Sequence, residues 1–355
     1  MNELSALPPP PQSRAWEALR RLALSSGLAL VLVFMVSVLV SDEPLKAFRA
    51  FSLGPLNSAR ALATLLEAAA PLMLSATGAL VAFKAGHFTL GGEGQVYAGA
   101  FMAALAGAWC PEGSFGLLAA VMAGVLGGTL VAAPAAAGKR WAGADVLLVT
   151  FLLSQAALHV VDWAISGPFR DAGNNLIAMD PIPQASLLPR LVHNLPLTPV
   201  PLVAGLVSVG VWIFLSRTRC GTMLALYGRN SRFAALQNFP VRSFEWAPII
   251  FAGAMHGLAG AALSLGSNGT AVRGISGGLG WNAIGAALVA GGEPLAVVPA
   301  AVLFSWLDSG ARQAAIFTEL PPDAAMIIKA LVIMAATAKP AYTRLKALLG
   351  GRKRT

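Results

Sequence analysis

Residues 216–246 read SRTRCGTMLALYGRNSRFAALQNFPVRSFEW, and this stretch decides how the chain is laid out. It carries Arg217, Arg219, Arg229, Arg232 and Arg242 against Glu245 alone, between two long apolar runs. An arginine excess in a short loop between membrane spans marks the cytoplasmic side. Within it the residues spell a small helix. Asn230 or Ser231 caps its start, residues 232–237 are competent helix formers, Asn238 takes a left-handed C-terminal position, and Pro240 blocks continuation. About two turns of helix are not stable in isolation, so either the membrane domain beneath or a partner above must hold it.

Working outward, composition sets the class. Of 355 residues, 56% are hydrophobic and 12% charged, and the mean hydropathy is +0.69, values too apolar for a soluble chain of this length. The reading is an all-α polytopic membrane protein. A net charge of +9 raises nucleic acid as a partner, but the basic residues fall in short segments between apolar runs and in a terminal group at Lys339, Arg344, Lys346, Arg352, Lys353 and Arg354. That distribution reads as topology beside membrane lipids, with no nucleic acid involved. Cys110 and Cys220 fall on opposite sides of the membrane, which leaves no disulfide framework. His87, His159, His193 and His256 are scattered without metal spacing, no catalytic constellation is evident, and no GxxxxGK[ST] loop occurs.

The chain divides into an N-terminal tail (1–21), disordered around the prolines at 8–11, a membrane domain (22–338) and a basic C-terminal tail (339–355). Leu22 to Val40 is uncharged for long enough to cross as a helix, is longer than a signal-peptide core and lacks a following cleavage site. A second span runs from Ala61 to Phe83. Its Glu67 lies about 25 Å along the helix from Lys84, at ~1.5 Å per residue, near the outer interface. The break GHFTLGGEGQ follows, where Gly91, Gly92, Glu93, Gly94 and Gln95 form either a tight turn or a moving gate, with Glu93 placed for the dipole of the next helix.

Spans three and four (Val96–Trp109, Phe115–Ala133) are rich in small residues. Pairs such as Ala120 with Gly124, and later Gly253 with Gly257, let helices approach closely. The fifth (Asp145–Ile165) carries Gln155 and His159, and the proline-bearing segment Gly167–Pro199 packs over the membrane domain outside. The sixth (Val200–Leu215) and seventh (Ala247–Leu265) flank the arginine-rich loop. Beyond lies GSNGTAVRGISGGLGWNAIGAALVAGGEP, a glycine-rich stretch before a short helix from Trp281 to Ala290. Irregular backbone at membrane depth is tolerated inside protein or beside a water-filled cavity, so Asn282, with Gln155 and His159, is the candidate pathway. A ninth span (Leu295–Leu307), an outer loop (Asp308–Pro322) and a tenth span (Asp323–Ala338) bring the count to about ten, with both termini inside. Lys329, near mid-span in the tenth, is expected to face the interior and find an acid or carbonyls.

Four blocks in order carry a family resemblance: FTLGGEGQ (Phe88 to Gln95), the Asp145 to Asp171 region ending in GPFRD, GRNSRFAALQNF, and GGLGWNAIGAALVAGGEPLAVVPAAVLF. Together they resemble bacterial ABC-importer permeases of the branched-chain amino acid, ribose and nucleoside superfamily, nearest the nucleoside and simple-sugar branch, over roughly Thr64 to Thr337. Thr89 and Gly92 stand where the family's FNIGAEGQ motif has Asn and Ala, Asn238 where it has Gly, and Gly292 where relatives often carry Arg.

The resemblance implies a ten-helix permease subunit in a bacterial inner membrane, translocating a nucleoside or simple sugar. It also implies a separate ABC ATP-binding subunit that holds ATP and magnesium, a second permease subunit that is often a different polypeptide, and an extracytoplasmic solute-binding protein. This chain would bind no cofactor of its own. Gly228, Asn230, Ser231, Ala234, Ala235 and Asn238 then fall on the helix that docks in the ATPase, with Ala234 and Ala235 small enough for close approach. The alternatives are an ion-coupled secondary transporter, for which intramembrane charges are sparse, a branched-chain amino acid permease, and a non-transporting scaffold, which has no need of broken helices.

Overall fold

The computed structural model describes residues 11–173, 175–318 and 323–337. Among these the fold is all-helical, with one isolated bridge between Ala178 and Val272 and no strand. In chain order the α-helices are α1 (Pro11–Val40), α2 (Pro44–Leu53), α3 (Ala59–Lys84), α4 (Gly92–Trp109), α5 (Ser114–Ala142), α6 (Val146–Ser166) and α7 (Val200–Arg217). The arginine-rich loop holds α8 (Arg219–Arg229), α9 (Ser231–Leu236) and α10 (Val241–Phe244); α11 (Ala247–Ala262), α12 (Leu279–Val289), α13 (Pro294–Phe317) and α14 (Ala324–Thr337) complete the chain. Seven helical stretches among the described residues are long and apolar enough to cross a membrane. The helices α4, α12 and α14 fall outside that group and pack among them.

Local signals explain most boundaries. Ser58 caps α3 by accepting from the Ala61 N–H, and Asp145 caps α6 by accepting from the Leu147 N–H. Gly143, at φ 63°, closes α5 in the left-handed conformation. At the centre, α4, α5 and α11 meet backbone to backbone. A methyl group on Gly99 or Gly128 would overlap Gly257, and one on Gly253 would strike Ala132 and Gly128. The small-residue pairs therefore set interhelical distance, although Ala120 lies towards Gly107 of α4. Almost all of α3 is buried, whereas α5, α6 and α7 expose Leu126, Leu130, Leu152 and Leu206 in an apolar belt suited to hydrocarbon. The segment after α6 lies over one end of the bundle, where Met179, Ile182 and Leu188 donate backbone N–H bonds to the carbonyls of Ala271, Gly269 and Leu265.

Three expectations change. Helix α1 is already formed from Pro11, well before the apolar run; residues 1–10 and the basic tail from Lys339 lie outside the described residues. Helix α13 runs on to Phe317 instead of stopping at Leu307, so Asp308 belongs to a helix and not to an outer loop. Its charge is tolerated because the Lys329 ammonium of α14 bonds it at 2.7 Å, and Lys329 itself is buried. Finally, Gly92 to Gln95 form the first turn of α4, with Gly91 as its cap. The only left-handed residue of that break is Gly86, at φ 77°.

Candidate functional site

The arginine-rich loop folds as three short helices in succession. Thr218 caps α8, accepting from the Gly221 N–H at 3.0 Å. Asn230 then ends α8 and caps α9, its Oδ1 accepting from the Phe233 N–H at 2.9 Å. At the far end Asn238 adopts φ 55°, the Phe239 N–H donates to the Ala234 carbonyl, and the Asn238 N–H donates to the Ala235 carbonyl. This pair of bonds is a Schellman closure, completed by edge-on contact of the Phe233 and Phe239 rings at 6.5 Å. Both ends of α9 are thus tied by its own neighbours.

The two alanines of α9 face opposite ways. Ala234 is fully buried against a cluster containing Leu224, Tyr227 and Phe244, which anchors the helix to the membrane domain. Ala235 is exposed, beside Phe233 and Leu236, the latter 76% exposed. Of the two alanines expected to offer close approach to a partner, Ala234 is buried within this chain and Ala235 is exposed. Ser231 and Arg232 are also exposed.

This unit is wedged against the break between α3 and α4. A methyl on Gly228 would overlap the Lys84 carbonyl, and one on Gly86 would come within 2.9 Å of the Gly228 oxygen, so the two backbones touch. The buried His87 ring donates from Nε2 to the Phe244 carbonyl at 2.8 Å and leans on Tyr227. Burial pushes the His87 pKa down from its ordinary value and the Phe244 hydrogen bond only partly opposes this, which favours the neutral ring. Arg140 of α5 pairs with Glu245 at 3.1 Å and fixes the loop's exit. At Gly292 the Lys84 side chain occupies the nearby space, its Nζ lying 3.2 Å from where a Cβ would stand.

From His87 the contacts continue inward. Thr150 Oγ1 accepts from the Leu90 N–H and Ser154 Oγ from the Gly94 N–H, so one face of α6 holds the start of α4. Gly92 lies against His256 and Gly280, and Gly94 against Ser154. These glycines serve close approach and not a sharp turn. Glu93 is buried, and its carboxylate reaches across to another element: Oε1 accepts from the Gly278 N–H and Oε2 from the Gly280 N–H, each at 2.8 Å. A carboxylate from α4 thereby caps α12, whose N-terminal N–H groups have no partners within their own helix. Gln95 Oε1 and His256 Nε2, both fully buried nearby, find no hydrogen-bond partner among the described residues.

The pathway residues separate. Asn282 lines a cavity of about 250 Å3 with Glu67, Asp308 and Arg312. Gln155 and His159 lie on α6, and His159 is exposed along the stripe that carries Leu152 and Trp163. Contact between α6 and α12 passes through Phe151 and Trp281 instead. Thr150 and Ser154 escaped the sequence reading, which named His87 only among the histidines without metal spacing. The two hydroxyls stand four residues apart within an apolar span, so they share a helix face, and that spacing was the available signal.

The family model described as branched-chain amino acid transport system, permease component, matches residues 61–337. The probable riboflavin import permease protein RfuC of Treponema pallidum is 29% identical over 88% of this chain and 83% of its own length. The glucose ABC transporter permease protein TsgB13 of Haloferax volcanii is 26% identical over 94% of this chain and 91% of its own length. The guanosine ABC transporter permease protein NupP of Bacillus subtilis is 28% identical over 74% and 77%. No solved structure matches the chain.

Proposed function

Because this chain belongs to the permease-component family of branched-chain amino acid transport systems, we propose that it carries a nucleoside or simple sugar inward across a bacterial inner membrane. It is a membrane permease subunit of an ABC transporter, and ATP hydrolysis belongs to a separate subunit. Relatives named for riboflavin, glucose and guanosine support an uncharged, hydroxylated solute over a branched-chain amino acid. In our reading α4, α12 and α14 join the seven apolar stretches to make ten spans, both termini are cytoplasmic, a second and different permease completes the pathway, and ATP with magnesium sits in the partner ATPase.

One observation carries the mechanism: α9 is capped at both ends, anchored by Ala234, and leaves Phe233, Ala235 and Leu236 exposed. Such a face on a rigid two-turn helix suits docking into an ATPase groove. Movement of α9 would pass through the Gly228–Gly86 contact and His87 to the start of α4, and through Glu93 to α12.

The test is ATP-driven uptake in vesicles together with co-purification of the ATPase. Ala235→Glu is expected to abolish both while the protein still inserts and folds, because residue 235 is exposed. Ala234→Glu buries a charge and is expected to cost several kcal/mol of stability. Normal uptake by Ala235→Glu would remove the docking assignment.

A further inference from the structure

We propose that the cavity between α3, α12 and α13 is a solute-binding subsite within this permease, and that its ligand is a neutral, hydroxyl-rich ring such as a sugar or the ribose of a nucleoside. The inference rests on the importer reading and deepens it. Two irregular pieces of backbone meet at this cavity, just before a helix start. Leu263 opens a π-helical segment (Leu263–Asn268) at the end of α11, Gly277 turns through the left-handed region at φ 52°, and α12 begins two residues later. Irregular backbone in a membrane protein is placed where protein encloses it or where it lines a water-filled cavity, and here it borders a cavity. The meeting of the two pieces at one space is what a packing defect would not produce.

The lining has the chemistry of a hydroxyl binder. Helix α13 contributes Ser305, Asp308 and Arg312, whose spacing of three and four residues puts them on one face, and α12 contributes Asn282. Helix α3 contributes Glu67, whose two oxygens are held by the Thr198 N–H at 2.9 Å and the Thr198 hydroxyl at 2.7 Å. Asp308 is held by Lys329. Both acids are therefore pinned in place, as recognition requires. The formal charges of Glu67 and Asp308 are balanced by those of Lys329 and Arg312, so an ionic solute would enter without a matching excess of opposite charge and lose its hydration. A neutral solute with several hydroxyls can both donate to the carboxylates and accept from Asn282 and Arg312. At about 250 Å3 the cavity falls just below the range of roughly 300–1,000 Å3 for drug-sized ligands, which fits one ring. Asn282 lies four residues after Gly278, whose N–H Glu93 holds, so the subsite is attached to the element that the cytoplasmic unit reaches.

Ala68 lines the same cavity without a polar role, which makes it the reporter. In the reconstituted importer with Cys110→Ser and Cys220→Ser, Ala68→Cys is reacted with a small water-soluble thiol reagent. Millimolar glucose, ribose or guanosine is expected to slow labelling by about fivefold or more once the site is mostly occupied, whereas guanosine monophosphate and leucine leave the rate unchanged. Adding Asn282→Ala should remove the protection yet keep the unprotected rate, which a purely structural role would alter. Protection by none of the neutral compounds, or equal protection by the anion, overturns the subsite. ATP-driven uptake of any panel member in the same vesicles, without protection, sinks the subsite alone. If no panel member is taken up and none protects, the importer reading fails with it.

Discussion

Helices α9 and α12 are both too short to stand by themselves, and they are held in opposite ways. Helix α9 is closed by residues next to it: Asn230 at its start, Asn238 and Phe239 at its end. Helix α12 takes its N-terminal cap from Glu93, 185 residues before Gly278. The first is a rigid piece that can be moved as a body. The second is positioned by a distant helix and must follow it. Contacts through Gly228, Gly86 and His87 join the surface unit to the start of α4, and in the mechanism proposed above they would carry movement from α9 towards the cavity.

The sharpest way to break this contrast is at the long-range cap. Glu93→Ala leaves the buried Gly280 N–H and the part-buried Gly278 N–H without acceptors, and we expect stability to fall by roughly 2–3 kcal/mol and uptake to be lost even if the protein is recovered. Glu93→Gln keeps one acceptor and should recover part of both. Thermal melting in detergent and vesicle uptake read the two effects, and wild-type transport by Glu93→Ala would mean that α12 does not depend on α4.

Gly228→Ala acts on the joint between the surface unit and the break. Its methyl meets the Lys84 carbonyl, so the surface unit must separate from the break at a cost of about 1–3 kcal/mol. ATP hydrolysis by the assembled complex should persist while transport per ATP falls, and an unchanged ratio would show that force does not cross here.

A local cap should matter less. Asn230→Ala removes one N-cap and is expected to cost about 1 kcal/mol, read as a small drop in melting temperature with uptake largely kept. If Asn230→Ala proves as damaging as Glu93→Ala, the distinction between local and remote holding collapses.

The smallest effect concerns pH at His87. Its folded pKa lies below the ordinary value because burial disfavours the charged ring, so the unfolded chain binds a proton first as pH falls. The contribution to stability is complete above about 6.5, the ordinary histidine value, and is lost as pH drops from there towards the folded pKa. Melting temperature measured from pH 7.5 to 5.5, as round values about that pKa, should fall less in His87→Gln than in the natural protein. Equal slopes would place the acid sensitivity elsewhere.

Much of α9 was legible beforehand because capping is a relation between residues a few positions apart. Asn230, Asn238 and Pro240 name the helix, and the structure adds only that Asn230, not Ser231, supplies the capping oxygen. The side of α9 that is buried was not legible, since Ala234 and Ala235 are chemically identical and only the cluster around Tyr227 and Phe244 tells them apart. Asp308 was misplaced in a loop for a related reason. A charge at the end of an apolar run looks like a boundary until Lys329, 21 residues on, is seen beside it.

What the sequence determined by itself was the membrane class, the approximate places of the helices and the short helix in the arginine-rich loop. Apolar length, charge excess and caps act within a few turns, and so are written in consecutive residues. Only the tertiary structure decided that the carboxylate of Glu93 belongs to α12, that Asn282 keeps company with Glu67, Asp308 and Arg312 while Gln155 and His159 lie elsewhere, and that Gly228 bears on Lys84 and Gly86. Each of these is a meeting of side chain or backbone across tens to hundreds of positions, fixed by how helices pack and by which buried polar groups must be satisfied, and neither leaves a pattern along the chain.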